Sequence, residues 1–310
     1  MTRRRSALLL LSIVVAALAI WLWLRNFDIS VDAFSQLFVR LRWWPVLLLF
    51  CLLTEHVALS SWRWSIIEVR LGGERPRFSH AFAAGAFSLG LGTFLPSPLV
   101  NVACRSLANR ISGTSGLRGV ISGGIDQLAD LAVVVLVAIP AVIALLRHDL
   151  DFYIVGAPAM ALLGLGLIAI LPAIVQAIFP LFLIPGLDRI APLVDRSLLL
   201  KLYGISMLRV VNLTLMTLAI HAATGTATVA AVVVGVPLVT LAISAAMLPG
   251  ALGVSEWSFA AVFSSFGVAR SDIVLFVLAN RIVLTALSLA LALLVLLVMV
   301  RALLGAGKEA

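Results

Sequence analysis

Apolar positions along this chain gather into long unbroken runs instead of alternating or recurring on one helical stripe. Six runs, at 7–24, 45–62, 119–146, 152–178, 203–223 and 273–300, approach or exceed the roughly 20 apolar residues a helix needs to cross about 30 Å of hydrocarbon. Two other apolar stretches, 80–96 and 229–247, are interrupted: the first runs into TFLPSPLVN at 93–101, the second into MLPGALGVSE at 247–256. Pro96 and Pro98 mark the first break, and Pro249, Gly250 and Gly253 the second. Irregular backbone at membrane depth survives only when buried in protein or lining a wet cavity. The pattern therefore predicts an all-α polytopic membrane protein with about six full spans and two broken segments, each re-entering or crossing.

The order of these elements repeats. Residues 45–146 read span, loop, broken segment, polar stretch, span, and residues 203–300 read the same order starting from the opposite side. This is the pattern of an inverted repeat, an architecture in which transporters place substrate near the midplane where broken helices meet. The chain divides accordingly into an N-terminal span and interfacial segment (1–44), a membrane domain (45–300) and a cytoplasmic tail (301–310).

Composition agrees with the pattern: 63% of the 310 residues are hydrophobic, 12% are charged, and mean hydropathy is +1.18. The net charge of +8 does not imply nucleic acid, because the basic residues sit in short clusters between apolar runs. With both broken segments re-entrant, fifteen of the 22 Lys and Arg residues fall in loops on one side and five on the other, while Arg209 and Arg281 fall within spans. That bias predicts a multi-pass protein of the cell membrane with both termini in the cytoplasm. The start, MTRRRSALLLLSIVVAALAIWLWLR, has the basic flank of a secretory signal, but its length and its tryptophans at the far end read as an uncleaved span. Cys51 and Cys104 have no metal-ligand or CxxC spacing.

Charged residues inside apolar runs are the candidates for chemistry, because each is costly unless it faces the bundle or a cavity. Asp126 and Asp130, in GGIDQLADLAVVV, lie four apart on one helical face. Two carboxylates so placed need a proton or a nearby cation, and Arg105, Arg110 and Arg118 are nearest in sequence. Glu256 follows the second break, and Arg281 in the last span is its expected partner. Glu55 is a further membrane carboxylate, readable as a proton site or as a structural group. Trp43, Trp44, Trp62 and Trp64 read as interfacial anchors, and Gly119 and Gly123 as a helix-packing pair.

No HExxH, GxSxG, Walker or Rossmann motif is present, so neither an enzyme nor a cofactor is expected. The succession RW (63–64), FLPSPLVNVACR (94–105), DQLAD (126–130), LPGALGVSEWSFAAVFSSFGV (248–268) and NR (280–281) resembles the flippase-like membrane domain of lysylphosphatidylglycerol synthases. The chain departs from that family's pattern at Val100 and Asn101, after the first proline break, and in DQLAD itself. The resemblance implies a stand-alone member, without the soluble synthase domain, that moves an amphiphilic lipid between leaflets. The cargo it implies is an aminoacylated phospholipid, a glycolipid or a hopanoid-type lipid, made by a separate lipid-modifying enzyme. Two other functions fit the same pattern: an antiporter for a small molecule or ion, and a non-transporting scaffold for such an enzyme. A groove open to lipid favours the flippase, a closed wet path the antiporter, and an apolar plug the scaffold.

Overall fold

Residues 31–72, 75–178, 195–246 and 248–306 are described by a computed structural model, together with Leu18, Trp21, Leu22 and Arg25. Uninterrupted apolar sequence becomes long helix throughout. The elements are α1 (Val31–Arg40), α2 (Trp43–Arg70), α3 (Phe78–Gly92), α4 (Ser97–Ile111), α5 (Gly116–Arg147), α6 (Leu150–Ile178), α7 (Arg196–Thr224), α8 (Val229–Ala246), a 3-10 turn (Pro249–Ala251), α9 (Val254–Ser265) and α10 (Arg270–Ala306). No strand occurs among the described residues, and the protein is a polytopic all-α membrane protein.

Six helices among the described residues are long and apolar enough to cross a membrane: α2, α5, α6 over Leu150–Ile170, α7, α8 and α10 over Arg270–Arg301. Five correspond to expected spans. The sixth is α8, which the sequence pattern marked as interrupted, while the expected span at 7–24 lies almost wholly outside the described residues. The second span also runs eight residues past the expected end at 62. Hydropathy stops there because Arg63 and Glu68 follow, yet both are buried inside the protein and are not in a loop. Trp64, expected as an interfacial anchor, is 1% exposed and belongs to the same interior, whereas Trp43, Trp44 and Trp62 are exposed.

Both broken segments fold as helical hairpins. Helices α3 and α4 hold 15 residues each and pack against one another. At 1.5 Å per residue each arm is about 22 Å long, short of the roughly 30 Å needed to cross. Pro96 caps α4 and Pro98 sits in its first turn, where a missing N–H is harmless. In the second hairpin, α8 turns at the 3-10 segment and returns through the 12 residues of α9. Long helix, helical hairpin, long helix thus occurs twice, as α2, α3–α4, α5 and as α7, α8–α9, α10, with the first arm of the second hairpin long enough to cross.

The two hairpins meet at their tips. Gly250 N–H donates to the Leu95 carbonyl at 3.2 Å, and a β-carbon at Gly250 would collide with the Thr93 carbonyl. Gly250 also has φ +57°, and Gly253 φ +82°, so the turn uses backbone conformations that favour glycine. In the largest apolar cluster of the described residues, Phe259 and Phe263 of α9 meet Phe276 of α10 edge-on or tilted, with ring centroids 5.3 and 4.7 Å apart. Gly119 and Gly123 of α5 let α4 approach closely, since a β-carbon at either would press on the backbone of Val102–Ser106.

Candidate functional site

The interior of this bundle holds a set of polar and charged groups alongside its apolar clusters, while the outside is apolar. Leu162, Leu163, Leu293 and Val298 face outward, while Arg63, Arg105, Asp126, Glu68 and Glu256 are buried. Helical spacing gathers these groups: His56, Ser60 and Arg63 recur on one face of α2, Asp126 and Asp130 on α5, Ser206 and Arg209 on α7, and Asn101 and Arg105 on α4.

Arg63 is the centre of the cluster. Its Nε donates to Asp126 Oδ1 at 2.5 Å and its Nη2 to Asp130 Oδ2 at 2.8 Å and to the Asp126 carbonyl at 3.1 Å. Its Nη1 reaches Ser206 Oγ at 2.5 Å and Asp130 Oδ1. One guanidinium thus bridges both aspartates, which is the cation the DQLAD spacing requires. Arg105 Nη2 lies 2.6 Å from Asp126 Oδ2 as an ion pair outside hydrogen-bond alignment, donates to Ser60 Oγ at 2.9 Å, and stacks over Trp64. Arg209 pairs with Asp130 Oδ2 and places Nη2 3.0 Å from His56 Nε2. Arginine can only donate, so His56 Nε2 accepts there.

Beside this cluster, Glu256 and Arg281 hold the second break. Glu256 Oε2 accepts from Gly253 N–H at 2.8 Å, capping α9, and its Oε1 lies 3.2 Å from Arg281 Nε. Arg281 Nη1 in turn donates to the Gly250 carbonyl at 2.8 Å. Arg281 therefore ties the turn to α10, and Glu256 ties Arg281 to the turn.

Between the two sets of charges lies a cavity of about 340 Å³. It is lined by the middle turns of α2, by α3 and the start of α4, by Gln127 and Asp130, by Arg209, by Gly250 and by Asn280 to Ser288 of α10. Both hairpin tips, at Thr93 and Gly250, border it. Its lining includes Ser60, Ser88, Thr93, Ser97, Asn101 and Thr285, so hydroxyl and amide groups surround the three charged residues Asp130, Arg209 and Arg281. The cavity is not sealed: Ser97 is exposed and the Arg281 side chain is 29% exposed. Arg209 Nε, Arg281 Nη2 and Asn101 Oδ1 have no hydrogen-bond partner. A buried polar group left so costs about 1–3 kcal/mol, a cost that a polar ligand drawing these side chains toward it would offset.

A family model described as the lysylphosphatidylglycerol synthase TM region matches residues 9–292. The chain belongs to that family. No curated protein and no solved structure matches it significantly.

The residues expected from sequence take different places. Asp130, Arg281 and Gly250 border the cavity, while Asp126 and Arg105 lie behind Asp130 in the ionic cluster. Glu256 is set behind Arg281. Glu55 is outside the cluster: it is exposed on the face of α2 shared with Trp44, Leu48, Cys51 and Trp62, where it accepts from Asn212 Nδ2 at 3.2 Å. Arg110 and Arg118, the other expected cations for the aspartates, form none of these pairs. Sequence reasoning missed Arg63, Arg209 and His56 as members of the site. For His56 and Arg209 the available signal was position, each being a titratable residue in a run otherwise able to span a membrane, whereas Arg63 falls one residue past the expected end of its span.

Proposed function

We propose that this protein carries the headgroup of an amphiphilic lipid between membrane leaflets through the cavity at the hairpin tips, while the acyl chains stay in the surrounding hydrocarbon. The observation that carries this reading is the cavity itself, in which two guanidiniums, a carboxylate and several hydroxyls stand among apolar side chains such as Leu53, Leu89, Met216 and Leu284, beside the central turns of a spanning helix. The main barrier to lipid exchange is dehydration of the headgroup, and a lining of hydroxyls, amides and paired charges lowers it. The unsealed mouth at Ser97 supports a lipid over a solute enclosed on all sides. The two halves are read as an inverted pair with both termini in the cytoplasm, and the cargo as the product of a separate lipid-modifying enzyme. No chemistry on the lipid is assigned to this chain.

The test is reconstitution into vesicles carrying trace fluorescent lipids with different headgroups, followed by quenching from outside. Faster or more complete quenching of at least one lipid than in protein-free vesicles is the expected result. Identical quenching with and without protein, for every headgroup tried, would remove the proposal.

A further inference from the structure

The charge arrangement around the cavity is unequal. Of the three charged side chains that line it, two are arginines, and the carboxylate of the third, Asp130, already accepts from Arg63 and Arg209. Behind the wall Arg63 and Arg105 are matched by Asp126 and Glu256, so the one cation in excess belongs to the lining itself. Every one of those carboxylates is engaged: Asp126 by Arg63 and Arg105, and Glu256 by Gly253 N–H and Arg281. The other buried carboxylate of the interior, Glu68, takes its hydrogen bonds from Trp64, Asn109 and Ser122 and does not border the cavity, and neither does Glu55. Among the charged groups that line the cavity, the atoms without a hydrogen-bond partner are donors, Arg209 Nε and Arg281 Nη2; Asp126 Oδ2, behind the wall, accepts no hydrogen bond but lies 2.6 Å from Arg105 Nη2. The unpartnered acceptor on the wall, Asn101 Oδ1, is a neutral amide suited to a hydroxyl. Helix α4 also begins at the cavity mouth, so the positive end of its dipole faces the same space.

We propose that the headgroup received here carries an anionic group, a phosphate or a carboxylate, and no free ammonium; this rests on the lipid-translocation reading above. A phosphate would meet Arg209 and Arg281 from the cavity side, with Asn101 and the serine hydroxyls left for its glycerol or sugar. An ammonium has no such place. Any position beside Asp130 is also beside Arg209 and Arg63, and the carboxylate it needs is already divided between them.

The full-length protein, purified in a nonionic detergent, is titrated calorimetrically with three soluble probes: dihexanoyl phosphatidylglycerol, its lysyl ester, and inorganic phosphate. The lysyl ester keeps the phosphate and adds two ammonium groups, so the pair isolates the charge question. Phosphatidylglycerol is expected to bind about tenfold or more tighter than the lysyl ester, and Arg209→Gln to narrow that ratio to within about threefold. Equal or tighter binding of the lysyl ester overturns the anion assignment and leaves a lipid cargo standing. Inorganic phosphate binding as tightly as the lipid overturns the lipid reading and leaves the anion assignment. Binding of none of the three overturns both. The ratio in the unsubstituted protein decides the matter even where Arg209→Gln fails to fold.

Discussion

At the scale of single residues, Arg63 and Arg281 do different work with the same side chain. Arg63 is wholly buried and spends its donors on two aspartates and a serine, so it fixes α2, α5 and α7 together. Arg63→Leu leaves Asp126 and Asp130 four residues apart without their shared cation, and breaking a buried pair in this way costs about 3–5 kcal/mol. We expect a large drop in thermal stability in detergent, whereas Arg70→Ala, which removes an exposed pair with Asp195, costs about 1 kcal/mol or less. Melting followed by tryptophan fluorescence compares the two. The aspartates divide in the same sense: Asp126 is fully buried and Asp130 is 25% exposed toward the cavity. Asp126→Asn should lower stability more than transport, and Asp130→Asn transport more than stability. The pairing of the aspartates was legible in the sequence because spacing by four is a local signal. Of their cations, Arg105 was legible by its nearness in sequence, but Arg63 and Arg209 were not, since they stand 63 and 79 residues away from the aspartates they bind, and no periodicity reports a contact at that distance.

Among elements, the two hairpins decide the architecture. Prolines and glycines announced both breaks in the sequence, and 15-residue arms identify the first as a segment too short to cross. What the sequence could not carry was that the tips touch, because that contact depends on how four long helices pack around them. Gly250 is the residue on which it turns. Gly250→Val should push the Thr93 carbonyl away, separate the tips and lower both yield and melting temperature, while Gly166→Val, at a helical glycine with open space where a β-carbon would stand, should leave both nearly unchanged. Comparable melting of the two variants would mean that the tip contact contributes little. Glu256→Gln probes the same joint more gently. It keeps an acceptor for Gly253 N–H but removes the charge that faces Arg281. The variant should fold and reach the membrane while transport falls, because Arg281 loses its position.

On the scale of the whole molecule, composition and run length were enough to identify a multi-pass helical membrane protein, and the family match over 9–292 agrees with the resemblance carried by the broken segments. Hydropathy misplaced the end of α2, since polar residues that pair inside a bundle look like a loop to any scale that reads residues one at a time. The exposed Arg70–Asp195 pair, 2.9 Å apart, puts the segment after α2 and the start of α7 on one side of the protein. Cysteines at Arg75 and Arg196, in a background with Cys51 and Cys104 changed to serine, should therefore be labelled by a membrane-impermeant maleimide from the same side. The excess of basic residues in these loops predicts the cytoplasmic side for both. Labelling from opposite sides would break the topology.

The contact between Leu95 and Gly250 also joins two parts of the chain that are made at different times. At about 5–20 residues per second, roughly eight to thirty seconds of synthesis separate them. For most of that interval both arms of the first hairpin have been synthesised, yet the Leu95 carbonyl has no Gly250 N–H to accept from. Insertion of this protein thus includes a waiting state, in which the first half must keep its tip in water or against the insertion machinery until the second half arrives to close it.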